Sequence, residues 1–300
     1  MSRPPLLFVH AHPDDETLTT GLTMAHHVRA GHLVHVLTCT LGEEGEVIPP
    51  ELLHLDAAHD DVLGPYRAGE LARAMSALGT TWEVLGADPA RGALSRYRDS
   101  GMAGTPSAAN PAAFVNADLA EAAALVADVV RRLRPAAVVT YDAQGGYGHP
   151  DHIQTHRVTC AAVASLPAGE QPLLYAVLTP QSWAREDREW LAAHPELTGR
   201  WSVPPADGDY PPSVVPDALV THVVQDLEAL PVQREALSQH VTQVTVRGDV
   251  YALSNDIAAR LPGREGFARL DPATGRLATA PVSGPGRRAD RVAGLLDGSS

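Results

Sequence analysis

Residues 6–21 read "LLFVHAHPDDETLTTG": an apolar, strand-like run that stops in His10, His12, Pro13, Asp14, Asp15 and Glu16. An ordinary turn at the end of a strand needs a Gly or an Asn. Two histidines and three acids crowded there must repel one another, compete for partners or share a cation. Residues 17–30 then have helical spacing, so the stretch is a strand, a charged turn and the start of a helix.

The rest of the chain repeats that strand–helix alternation. Apolar, β-branched runs at 6–11, 33–39, 82–86, 136–142, 173–179 and 219–224 alternate with helical patterns at 17–30, 59–78, 117–134, 151–165, 181–193 and 226–241. Several strand runs are continuously apolar, as expected of strands covered on both faces. The order predicts an α/β fold with a doubly wound, mostly parallel, Rossmann-like sheet, helices on both faces and a small C-terminal addition. Ligands of such sheets bind beyond the carboxyl ends of the strands, where the opening motif sits. The expected organisation is a catalytic domain over 1–218, a C-terminal extension packing on it over 219–278, and a mobile Gly/Ser/Arg-rich tail over 281–300. Residues 87–111 and the Pro-rich stretch 203–217 read as irregular loops, and a loop as long as the first is more often functional than idle.

Composition narrows the function classes. The chain has 300 residues, 44% hydrophobic, with 36 acids against 23 bases and a formal net charge of −13. That balance argues against nucleic acid, which wants a basic face, and against anionic membrane surfaces. No stretch approaches the roughly 20 apolar residues of a membrane span, and the first strand begins too early for a signal peptide. Cys39 and Cys160 lie in apolar segments and read as reduced, buried thiols of a cytoplasmic protein.

A second cluster matches the first. "TYDAQGGYGHPDHIQTH", residues 140–156, is again a strand end, a Gly-rich turn and then His149, Pro150, Asp151 and His152 leading into a helix. His12 and Asp15 are three apart, as are His149 and His152, a spacing that aims two side chains the same way at the start of a helix. Proline at the first helical position stiffens each start. Two imidazoles and one carboxylate suit a catalytic Zn²⁺ with an open fourth position, and equally Fe²⁺. A second carboxylate beside the metal but not bound to it serves as general base toward water. The Asp14–Asp15 pair supplies both: one holds the metal, the other takes the proton.

These residues resemble the zinc-dependent N-acetylglucosaminyl deacetylases, the LmbE-like or PIG-L-like family, whose signature AHPDDE stands at 11–16 and whose second motif HPDH stands at 149–152. "TCTLGEEGEV" (38–47), "YRAGEL" (66–71) and "YRDSGMAGT" (97–105) are similar to the mycothiol-biosynthesis branch, which removes acetate from N-acetylglucosaminyl-inositol. The resemblance implies one Zn²⁺ per chain held by His12, Asp15 and His152, with Asp14 as general base. It implies His149 as oxyanion stabiliser or acid, Asp151 as orienter of a histidine or holder of its charge, and Tyr147 on a glycine-flanked loop leaning on the carbonyl oxygen. Arg67, Asp99, Glu46 and Arg98 are the candidates for binding the sugar and inositol hydroxyls. An amidase of mycothiol S-conjugates would use the same machinery. The GEEGE block favours the deacetylase, and a deacetylase of another N-acetylated amino sugar is the remaining alternative. A sugar-binding protein without turnover would lack the base, and Asp14 is present. Oligomeric state is not legible.

Overall fold

The strand that carries the opening motif, β1 (Leu6–His10), is buried at every position, and its side chains alternate between two cores. Leu6 and Phe8 join the layer under α1 (Asp15–Arg29) and α2 (Leu63–Leu78), with Leu22, Met24, Leu71 and Met75. Leu7 and Val9 join the opposite layer, with Val126 and Val130 of α3 (Leu119–Leu133) and Val158 of α5 (Pro150–Ala164). A strand with apolar side chains on both faces is stable only between two layers of helices. That is the physical content of a doubly wound sheet.

The computed structural model describes residues 4–278 and 292–296. Around β1 run β2 (Val34–Thr38), β3 (Thr81–Val84), β4 (Ala137–Thr140) and β5 (Leu173–Pro180), all parallel, in the order β5-β4-β1-β2-β3. Leu6 pairs with Val34 on one side and with Ala137 on the other. The winding direction reverses between β1 and β4, so a crevice opens beyond their carboxyl ends. α4 (Gly145–Gly148) is a single turn ahead of α5, and α6 (Gln181–Ala193) and α7 (Pro195–Thr198) come after β5.

The chain beyond residue 218 is not a separate layer. β6 (Val214–Val215) pairs with the end of β5, and β7 (His222–Gln225) lies in the main sheet. After α8 (Leu230–Leu237), a small antiparallel sheet forms from β8 (Thr245–Arg247), β9 (Val250–Ala252) and β10 (Ala258–Arg260). β11 (Arg264–Asp271) then inserts antiparallel between β5 and β7, and β12 (Arg276–Leu277) folds back on it. The expected extension therefore completes the central sheet, and the expected boundary at 218 cuts through it. β11 is absent from the strands expected from sequence because Arg264, Glu265, Gly266 and Arg269 break its apolar run. Gly266 is required there: a Cβ would lie 2.7 Å from the Leu178 carbonyl oxygen.

Part of the expected mobile tail is also sheet. Val292–Ala293 forms β13, parallel to β7, and the Leu295 carbonyl accepts a hydrogen bond from the buried Tyr175 hydroxyl at 2.7 Å. Residues 281–291 and 297–300 of that stretch lie outside the described residues. Two helices start later than their patterns suggest. Asp56 caps a turn ahead of α2, and the Asp226 carboxylate takes the Glu228 and Ala229 amides ahead of α8, so the backbone donors are satisfied without helix. Cys39 and Cys160 are both buried and not joined. No helix among the described residues is long and apolar enough to cross a membrane.

Candidate metal centre and active site

The two charged clusters meet because β1 and β4 are neighbours. The end of β1 delivers His12 to Asp15 into the start of α1, and the end of β4 delivers Tyr141 through His152 into the start of α5. His12, Asp14, Asp15, His149, Asp151 and His152 are all less than a tenth exposed.

Three atoms converge. Asp15 Oδ2 lies 3.2 Å from His12 Nδ1 and 3.2 Å from His152 Nε2, and those two nitrogens are 3.3 Å apart. A tetrahedral ion with bonds of about 2.0–2.1 Å requires donor atoms separated by about 3.3–3.4 Å. The residues therefore fit a metal ion, which these three donors would hold. His12, His149 and His152, and His12, Asp99 and Asp151, also cluster within 4.8 Å. The other ring nitrogens are occupied in the way metal-binding imidazoles require. His152 Nδ1 donates to the Gly145 carbonyl at 3.2 Å, and His12 Nε2 faces Asp151 Oδ2 at 3.3 Å and Asp99 Oδ1 at 3.4 Å. Burial alone would push the Asp15 carboxyl up, but His152 and His12 hold it well below the usual carboxylate range.

Asp14 is placed beside this triad by an unusual backbone. Its φ is 118°, a region L-residues rarely adopt, at a cost of about 1–3 kcal/mol that the surroundings must offset. Arg67, buried on α2, reaches Asp14 Oδ2 at 3.3 Å and also donates to the carbonyls of Gly42 and Pro13. Gly42 has φ +64°, and a Cβ there would run into that guanidinium. Burial pushes the Asp14 carboxyl up to about 7, with Arg67 opposing the rise. A carboxylate that titrates near neutrality is suited to taking a proton and returning it.

His149 caps α5: its Nδ1 accepts the Asp151 amide at 3.1 Å, which leaves Nε2 as the N–H donor. Burial, together with His12 and His152, pushes its pKa down to about 3. That arrangement suits a neutral donor rather than an imidazolium. Asp151 serves a histidine other than its neighbour in sequence. Fully buried, it faces His12 and accepts from the Ser100 amide at 2.9 Å and from the Ser100 hydroxyl. Tyr147 stands on the glycine turn, 54% exposed, edge-on to His152 with ring centroids 5.0 Å apart.

The four substrate-binding candidates separate. Asp99 is buried beside His12 and accepts from the Gly101 and Glu44 amides. Arg67 is occupied by Asp14 and two carbonyls. Arg98 is paired with Glu44 and Asp61 at the rim, and Glu46 is exposed on the loop after β2. On the opposite side of the triad, a cavity of about 330 Å³ opens past Asp15, His152 and Tyr147 between β5, β11 and Trp183.

Tyr141 carries no functional signal in the sequence, whereas His156, one helical turn after His152, shares its face of the helix. Tyr141 stacks on His152 at 4.3 Å and its hydroxyl accepts the Ala11 amide, while His156 Nδ1 donates to the Tyr141 carbonyl at 2.8 Å. Ser100, which donates to Asp151, stands in the sequence as an ordinary loop residue, and only its place inside a quoted motif could have drawn attention to it. Glu16 stands out among the crowded acids of the opening motif, and the structure shows it accepting the Asp14 amide.

The family profile described as PIG-L: GlcNAc-PI de-N-acetylase matches residues 7–163. A 1D-myo-inositol 2-acetamido-2-deoxy-alpha-D-glucopyranoside deacetylase of Rhodococcus jostii is 48% identical over 288 residues, covering 92% of this chain and 94% of that protein. A protein of the same name from Geodermatophilus obscurus is 49% identical over 271 residues, covering 87% and 90%. In fold, the chain is similar to the N,N'-diacetylchitobiose deacetylase of Pyrococcus horikoshii, with TM-score 0.53, 14% identity and 93% and 88% of the two chains covered. With the signature motifs at the ends of β1 and β4 and relatives matching nearly end to end, this chain belongs to the PIG-L family.

Proposed function

We propose that this protein is a metal-dependent N-deacetylase that hydrolyses the acetamide of 1-O-(2-acetamido-2-deoxy-α-D-glucopyranosyl)-1D-myo-inositol, releasing acetate and the free amine in mycothiol biosynthesis. The observation that carries the chemistry is the triad of Asp15 Oδ2, His12 Nδ1 and His152 Nε2 at 3.2–3.3 Å from one another, with Asp14 beside it. The substrate rests on the two relatives that bear its name. One Zn²⁺ per chain is the reading of the donor set, and Fe²⁺ fits the same donors.

When bound, the metal supplies Lewis acidity that acidifies water and polarises the acyl oxygen. Asp14 takes the proton from the attacking water. The neutral Nε2–H of His149 donates to the oxygen as charge develops on the acetyl carbonyl, and Tyr147 closes over it from the glycine turn. As the C–N bond breaks, Asp14 passes its proton to the leaving amine, a transfer favoured by the burial that raises this carboxyl. Asp151 and Asp99 hold His12 in the tautomer that leaves Nδ1 free.

A second reading, cleavage of the cysteinyl–glucosamine amide of mycothiol S-conjugates, would use the same donors and base, and the cavity of about 330 Å³ beside the triad has room for more than an acetyl group. Amine release by metal-loaded and chelated enzyme, on the acetylated sugar beside an S-conjugate, tests both. Metal-dependent turnover preferring the acetylated sugar supports the deacetylase, and preference for the conjugate replaces it with the amidase. Inertness on both would reject both substrates.

A further inference from the structure

The turn after α8 reaches the start of α1, beside Asp14. His240 is fully buried, and its Nε2 lies 3.2 Å from Glu16 Oε1. The Thr17 hydroxyl donates to the same oxygen at 2.7 Å, and the other oxygen of Glu16 accepts the backbone N–H of Asp14 at 3.0 Å. This is the residue whose φ is 118°. His240 Nδ1 is buried without a hydrogen-bond partner, so among the described residues the polar contacts of this ring are all made through Nε2. Two residues on, the Thr242 amide and hydroxyl donate to the Glu70 carboxylate at 2.9 and 2.8 Å. Glu70 stands one helical turn from Arg67, which holds the Asp14 carboxylate. A single turn, 240–242, therefore grips α1 through Glu16 and α2 through Glu70, the two elements that frame Asp14.

We propose that His240 is a positioning residue for Asp14, acting through Glu16. The Nε2–H donates to the Glu16 carboxylate and keeps its second oxygen turned toward the Asp14 amide, which locks Asp14 in the left-handed backbone that aims its carboxylate into the site. Without His240 the buried carboxylate loses one of three donors and is free to rotate toward the space left by the ring. The inference rests on Asp14 as the base; the brace itself is a matter of hydrogen bonds and stands apart from turnover.

The test compares wild type, His240→Ala and His240→Gln, each metal-loaded, by kcat, KM, metal stoichiometry and hydrogen exchange of the Asp14 amide. A misdirected base predicts kcat lower by about 10–100-fold in His240→Ala, with KM and metal content unchanged and faster exchange at Asp14. His240→Gln, whose amide donates from nearly the same place, stays close to wild type in all four and keeps the comparison decisive if the alanine variant fails to fold. Added imidazole restores part of the kcat of His240→Ala. Unchanged kcat in His240→Ala, unchanged Asp14 exchange, or loss of the metal would each overturn the proposal. If the wild-type chain is inert on every N-acylated amino sugar, the function fails, and amide exchange still decides whether the brace exists.

Discussion

Arg67 separates two accounts of the site. Its sequence motif marks it as a sugar-binding candidate, whereas the structure buries it against Asp14 Oδ2 at 3.3 Å. Replacing it by Met removes a full positive charge from beside a buried carboxylate. With an effective dielectric of about 20, the interaction at that distance is about 5 kcal/mol. Rearrangement and water entering the gap leave about a third of it, equivalent to about 1–2 pH units on Asp14. The sign is upward, because burial already raises this carboxyl to about 7 and Arg67 is what opposes it. A general base works deprotonated, so the acid limb of kcat/KM, which reports the free enzyme, moves to higher pH by that amount. On the acid limb the variant is then slower by about 10–100-fold at a given pH, and above both limbs it recovers the loss. Both enzymes carry the same metal, so its own effect on Asp14 cancels in the difference. The assay is amine release against pH at fixed metal loading, with Arg67→Lys as the charge-retaining control. An unmoved acid limb accompanied by a higher KM would refute the reasoning and return Arg67 to the sugar.

Three further outcomes are expected. Asp14→Asn keeps the metal, since Asp14 is not among the converging donors, and loses about 10²–10⁴-fold in kcat; near-wild-type turnover would remove Asp14 as the base. Asp151→Asn deprives His12 Nε2 of a carboxylate and weakens metal binding by about 10–100-fold, read by competition with a chelating dye; unchanged affinity would contradict that role. Phe267→Ala on β11, fully buried in the same core layer as Phe8, costs about 3–5 kcal/mol in a single urea transition. Two separate transitions would show that the C-terminal strands fold apart from the rest.

Much of the architecture is readable because burial on both faces leaves a mark in the chain itself. Several of the parallel strands announce themselves as continuous apolar runs, and β1 is buried at all its positions, whereas β3 carries Glu83 and buries only Val84. β11 leaves no such mark, since a strand whose neighbours supply the packing tolerates Gly266 and charged residues that blur its pattern. The boundary expected at 218 fails for the same reason: sequence shows where an element ends, not which sheet it joins.

At the site, the chain alone determined which donors stand together at each strand end. His12 with Asp15, and His149 with His152, are consequences of short covalent spacing and helical geometry. Their joining into one centre was decided by sheet order, which sets β1 beside β4 and brings His12 and His152 nitrogens to 3.3 Å across 140 residues. The partners that tune them were decided the same way. Asp151 faces His12 rather than its neighbour His149, Arg67 faces Asp14, and His240 faces Glu16. Hydrogen bonds and ion pairs act over about 3 Å, and at that range only the packed chain determines which groups meet.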